Sequence, residues 1–369
     1  MNPVTDEATS PQGTDLSTAQ VPVRARTIDP RGAGLPLCIE PTAATDPEAL
    51  LSWVGAQKER LSAAILQHGA VLLRGFPIHT PQVFESVLRA LGVELKNDYQ
   101  GTSPRNAVTQ YIFNASELPG YYPIPQHCEM SFLRSPPRRL FFCCLSAPQS
   151  FGGETPLCDF RAVYRDLDPQ VRSRFEARGV MIVRNYGGPE GGGRFDLWQL
   201  KPWHDIFGTT DRAAVEKKCQ EIGQEFRWLP DGRLRLINRS DACLRHPQTG
   251  EWVWFNHSQV FHLSSAEGEY RRIAARLPEL RYHLLRAVAH LGATYKKWRL
   301  TDDEQAMQAL FGDGSPIPDA DMEQVREAIW KNLVVTRWRL GDVVMIDNFG
   351  VSHGRLPYHG PRRVVVGWE

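Results

Sequence analysis

Long apolar runs are absent from the 369-residue sequence. The most continuous ones, such as 343–346 and 364–366, fall far short of the roughly 20 residues that cross a bilayer. No membrane span is expected. Net charge is nearly absent too: 43 Lys plus Arg against 42 Asp plus Glu leave +1. That excludes the clustered basic surplus of a nucleic-acid binder. Seven cysteines, an odd number, include no C-x-x-C pair. A disulfide framework, a zinc ribbon and an iron–sulfur site of ordinary spacing are thereby excluded. Reduced thiols point to the cytoplasm, with adjacent Cys143 and Cys144 as small buried hydrophobes. The start, Met-Asn-Pro-Val-Thr-Asp-Glu, lacks the basic and then apolar pattern of a secretory leader. No Gly-Lys-Ser/Thr ending follows the Gly187–Gly193 cluster, which reads as a flexible loop near the substrate, a lid, rather than a phosphate cradle.

What is present reads as one α+β chain. Residues 1–36, rich in Thr, Ser, Pro, Gly and Ala, read as a mobile tail, and 37–369 as a single domain. Apolar residues recur at helical spacing from Asp46 to His68, with Gly69 as the stop, and Thr80 to Leu91 forms a second helix with Pro81 in its first turn. Segments 70–76, 139–145, 180–186 and 251–256 read as strands, as do 334–338, 342–347 and 362–368 near the end. Helices are expected over 160–167, 169–178, 211–223, 322–332 and 267–295, the last broken at Pro278.

One constellation carries chemistry. His127 and Glu129 stand two residues apart on an extended segment and so project to one side. With a distant His they would make a facial triad of two His and one carboxylate, which leaves positions open on non-haem Fe(II). His353 follows a strand by a short turn, and Arg362-Arg363 opens the next strand nine residues later. A guanidinium fork there suits one end of a dicarboxylate whose other end chelates the metal. His257 and His262, five apart, share no helix face and read as structural. Trp252 and Trp254 read as core.

These residues resemble the Fe(II)/2-oxoglutarate-dependent oxygenases of the taurine dioxygenase (TauD/TfdA) superfamily, nearest its SyrP-like branch, with clavaminate synthase more distant. The matching stretches run in family order: Pro-Gln-His-Cys-Glu-Met-Ser-Phe at 125–132, Gly-Gly-Glu-Thr-Pro at 152–156, Arg245-His246-Pro247 with 253–256, Gly-Asp-Gly-Ser at 312–315, and 341–348 through His353-Gly354-Arg355 to 360–363. They cover about 45–369. The resemblance implies a double-stranded β-helix, or jelly roll, with helices outside. It implies His127, Glu129 and His353 as iron ligands, Thr155 as a hydrogen-bond partner of 2-oxoglutarate, and Arg363 as the partner of its distal carboxylate. Arg362 is the alternative, because strand alternation lets only one of the two face inward. It implies Fe(II), 2-oxoglutarate and O2 as cofactors, with release of succinate and CO2 as an unactivated C–H is oxidised.

The expected substrate is a small molecule, an amino acid or amino-acid-derived metabolite of a biosynthetic pathway, free or bound to a carrier protein. Taurine dioxygenase carries a sulfonate-binding Arg four residues beyond its 2-oxoglutarate Arg. Counted from Arg363 that position is Gly367, so a taurine substrate is not expected. Ser103, Arg105, Asn256 and Arg355 are the candidate substrate contacts. Two rival readings stand beside this one: a catabolic dioxygenase cleaving a small sulfonate or ether acid, and a metal-free β-helix binding protein. Oligomeric state is not legible.

Overall fold

The computed structural model describes residues 16–31, 34–98, 105–149, 152–188, 200–277 and 279–369. Two sheets position the functional region. The larger runs in the order Val23–Thr27, Leu37–Pro41, Ala70–Leu73, Val343–Asp347, Arg139–Ser146, Arg363–Trp368, Phe113–Asn114. The smaller runs Leu333–Val334, Leu157–Asp159, Val351–Arg355, Ile124–His127.

Strand alternation explains why the long strands of the larger sheet are apolar throughout. In Arg139–Ser146, Leu140, Phe142 and Cys144 enter one apolar cluster with Val344, Ile346, Val364, Val366 and Trp368, where Leu157 and Val351 of the smaller sheet meet them. Phe141 and Cys143 point the other way, into a cluster with Trp53, Leu61, Phe84 and Val87 of the N-terminal helices. A strand buried on both faces reads as continuous hydrophobicity. The buried Arg74–Asp342 pair (2.7 Å) ties the strand ends of this sheet together. A third sheet, in the order Met307–Phe311, Val180–Tyr186, Leu234–Ser240, Glu225–Trp228, stands beside them.

Several expectations shift. The helical stretch 46–68 is two helices, Pro47–Ala56 capped by Asp46 and Lys58–His68, meeting at Gln57. Gly69 at φ +74 ends the second. Thr80 caps Pro81–Ala90 as expected. The tail does not extend to residue 36. Val23–Thr27 pairs with Leu37–Pro41, Leu16 and Val21 are buried, and the Trp53 indole donates to the Leu16 carbonyl (2.9 Å). A sheet-edge strand with one partner shows little apolar periodicity, which is why the segment resembled coil. Trp254 is core, but Trp252 is partly exposed and stacked on Tyr164. All seven cysteines are buried and unpaired. Among the described residues no helix is long and apolar enough to cross a membrane.

Candidate metal centre

His127 ends the strand Ile124–His127, and His353 is the middle residue of Val351–Arg355. The two are direct antiparallel partners. Cross-strand partners share a face, so the rings lie 4.4 Å apart, centroid to centroid. The His127 Nδ1–H donates to the Pro125 carbonyl (2.9 Å), which leaves Nε2 to a ligand. Burial, then the neighbouring His353, bring its pKa down to about 4, so the ring is neutral. Glu129 lies just past the strand, where Met130 turns the chain at φ +52.

Asn348 fixes that turn. Its Oδ1 accepts from the Glu129 backbone N–H (2.7 Å), and its Nδ2 donates to the carbonyls of Glu129 (3.0 Å) and Pro137 (2.8 Å). Burial pushes the Glu129 carboxyl up. Arg105, then the His353 contact and His127, outweigh burial and hold it well below the usual carboxylate range. The Arg105 guanidinium is in direct contact with this carboxylate.

His127, Glu129 and His353 place their donor atoms within 4.8 Å of one another, with His353 Nε2 3.7 Å from Glu129 Oε2. Among the described residues this is the only such group of His, Cys, Asp or Glu. Two imidazole nitrogens and one carboxylate oxygen on one face suit a divalent iron. The triad borders a cavity of about 110 Å³, room for on the order of ten water-sized spheres.

Thr155 and Arg362 lie in the same cavity. The Arg362 Nε–H donates to the Gly153 carbonyl (2.6 Å) and its Nη2 to Thr155 Oγ1 (3.3 Å). Burial, then Arg355, lower its pKa to about 10. Among the described residues no carboxylate pairs with it, so a desolvated cation stands open to a carboxylate ligand. Gly152 and Gly153 make the approach possible at φ +107 and +75: a Cβ on Gly152 would sit 2.3 Å from the Pro357 carbonyl oxygen, and one on Gly153 3.0 Å from Arg362 itself.

Arg363 is corrected. It is exposed and pairs with Ser146 at the strand's start, next to a register shift before Val364, so Arg362 is the inward residue. The position four beyond Arg362 is Val366, inside the layer between the sheets. Gly367 faces Ile112, Leu95 and Leu88 on the other side. Counted from either Arg, the position four residues on carries no charge.

Of the substrate candidates, Arg105 lies in the cavity, and Ser103 lies outside the described residues. Asn256 is spent elsewhere: its Nδ2 donates to the Ala242 carbonyl (2.8 Å), and its Oδ1 accepts from the Ser258 hydroxyl (2.6 Å). Arg355 borders the cavity, but its guanidinium donates to the carbonyls of Leu118, Pro119 and Tyr122. These bonds clamp the 118–122 loop. The Gly187–Gly193 lid falls largely on 189–199, outside the described residues. His257, read from sequence as structural, lines the cavity beside His127, 5.3 Å ring to ring, with its Nδ1 2.6 Å from Ser131 Oγ. No spacing rule brings it there, because the short helix Ser258–Phe261 turns it inward. His262 is structural as expected, its Nε2–H donating to the Ile317 carbonyl (3.0 Å).

A triad of two His and one carboxylate beside a buried guanidinium is a set of groups that could hold a divalent iron and a carboxylate ligand. The chain belongs to the TauD/TfdA family of taurine catabolism dioxygenases, whose model matches residues 33–368, and is an Fe(II)- and 2-oxoglutarate-dependent dioxygenase. It is 31% identical to the dapdiamide synthesis protein DdaC of Enterobacter agglomerans over 81% of this chain and 82% of that one. It is 29% identical to a clavaminate synthase-like protein of Arabidopsis thaliana over 90% and 92%. The crystal structure of PvcB from Pseudomonas aeruginosa has the same fold, at a TM-score of 0.50 and 15% identity, covering 94% of this chain and 90% of that one.

Proposed function

We propose that this dioxygenase oxidises an unactivated C–H of an amino acid or amino-acid-derived metabolite in natural-product biosynthesis. Its two facing sheets are read as the halves of a double-stranded β-helix. The observation that carries the substrate class is Val366, an apolar residue where taurine dioxygenase holds its sulfonate-binding Arg. Arg105 remains as the cation beside the triad, able to meet a substrate carboxylate. The similarity to a dapdiamide synthesis protein supports the biosynthetic setting. The seven buried, unpaired thiols support a reducing, cytoplasmic setting.

In this reading His127, Glu129 and His353 hold iron, and Arg362 with Thr155 grips the distal carboxylate of 2-oxoglutarate. Asn348 holds the Glu129 turn in place. Phe132, Phe142, Val260, Phe261 and Met307 line the cavity with apolar surface and keep water from the reacting carbon. When bound, the metal and cosubstrate supply the oxidation, with succinate and CO2 released. The chain's part is to orient the substrate and exclude water.

A screen of free amino acids, their carrier-bound thioesters and taurine, scored by succinate release and product mass, tests this. Oxidation of an amino acid or its thioester is expected. Turnover of taurine alone would replace it with the catabolic reading.

A further inference from the structure

The helix Leu280–Arg299 packs against the body of the protein through Tyr282, Leu285 and Ala289. Its other side is open. Leu280, Leu284, Val288, Leu291, Tyr295 and Trp298 are 74, 59, 65, 68, 44 and 81% exposed. At 100° per residue all six fall within an arc of about 80°, along a helix of 20 residues, about 30 Å long. Large side chains offer on the order of 150–250 Å² each, so the stripe presents roughly 600–800 Å² of apolar surface. That exceeds the largest patch of a typical monomer and approaches the 800 Å² or so that each partner contributes to a stable interface.

The stripe has an internal symmetry. About a midpoint between residues 289 and 290, Leu284 mirrors Tyr295 and Val288 mirrors Leu291, while Leu280 and Trp298 at the ends fall one residue out of that register. From 284 onward the spacing alternates four and three, the period of a helix–helix seam. We propose that this stripe is a two-fold, antiparallel interface with a second copy of this chain, in which each large residue at one end meets a Leu from the other end of the partner helix. A two-fold contact must be self-complementary, and the central part of the stripe, spaced four, three and four from Leu284 to Tyr295, reads the same in both directions. Charge does not oppose it. The helix has no Asp or Glu, and of its five Lys and Arg, Arg281, Arg286 and Lys297 are paired with Glu279, Glu267 and Asp319 of their own chain while Arg299 lies over the Trp298 ring. A lipid surface fits less well, because a membrane-lying helix presents a broader apolar face and unpaired cations.

Sedimentation of the full-length protein is expected to show a dimer at micromolar concentration. Leu291→Glu is expected to weaken it about 30-fold or more while leaving succinate release unchanged. Because the native thiols are buried, introduced cysteines report the register. A mixture of Leu284→Cys and Tyr295→Cys proteins is expected to cross-link between chains, and neither alone. A monomer, a dimer indifferent to Leu291→Glu, self-cross-linking of Leu284→Cys as in a parallel pair, or a monomer that co-sediments with anionic phosphatidylserine vesicles through this helix would each overturn the proposal.

Discussion

Replacing Arg362 with Ala removes a buried cavity guanidinium that, among the described residues, no carboxylate pairs with. Its pKa, lowered to about 10 by burial and by Arg355, marks a cation held away from water. Its two hydrogen bonds, to the Gly153 carbonyl and Thr155 Oγ1, fix its direction and leave its charge uncompensated. A carboxylate arriving there gains a charge-assisted contact in a desolvated site. Deleting one partner of such a pair costs about 2–5 kcal/mol, which corresponds to a roughly 30- to 4000-fold weaker hold on 2-oxoglutarate. Arg363→Ala removes an exposed side chain at the strand's start and is expected to change that affinity by no more than about twofold. Anaerobic titration of the Fe(II) enzyme with 2-oxoglutarate, followed by its charge-transfer absorption, measures both. If Arg363→Ala proves the more damaging, the facing of this strand is wrong and the corrected register fails with it.

Asn348→Ala frees the backbone on both sides of Glu129 and is expected to weaken iron binding about 10- to 100-fold; a loss of thermal stability with unchanged iron affinity would make Asn348 structural only. His262 gives a pH effect of defined sign. Burial, more than any other cause, lowers its pKa to about 4 from an ordinary 6.5, so between those values the unfolded chain binds the extra proton. Stability from this group is therefore complete above pH 6.5 and lost as pH falls toward 4, at up to about 1.4 kcal/mol per pH unit. Urea unfolding of His262→Gln against the wild-type protein at pH 7 and 5 should show a shallower pH dependence in the variant; identical slopes would refute it.

Much of the fold was legible because it rests on local rules. Asp46 and Thr80 cap helices, Gly69 ends one, and unbroken apolar runs become strands covered on both sides. The His127–Glu129 pair was legible from spacing, and His353 from its position after a strand. What spacing could not supply is register. Strand alternation says that one of Arg362 and Arg363 faces inward, and only the shift before Val364 says which. The same limit hid Asn348 and His257, whose roles arise from chain segments more than a hundred residues away. It also hid that Asn256 is committed to Ala242 and Ser258, and that Arg355, though at the cavity, donates to three backbone carbonyls: a polar residue near a site looks the same in sequence whether its hydrogen bonds are free for a ligand or already given to the chain.

The most direct measurement is anaerobic iron binding and succinate release in the wild-type protein beside His127→Ala, Glu129→Ala and His353→Ala. The wild-type chain is expected to bind one Fe(II), to develop the 2-oxoglutarate absorption band and to release succinate, and each variant to lose turnover. Near-normal succinate release with unchanged iron content in any one of the three would show that the metal sits elsewhere.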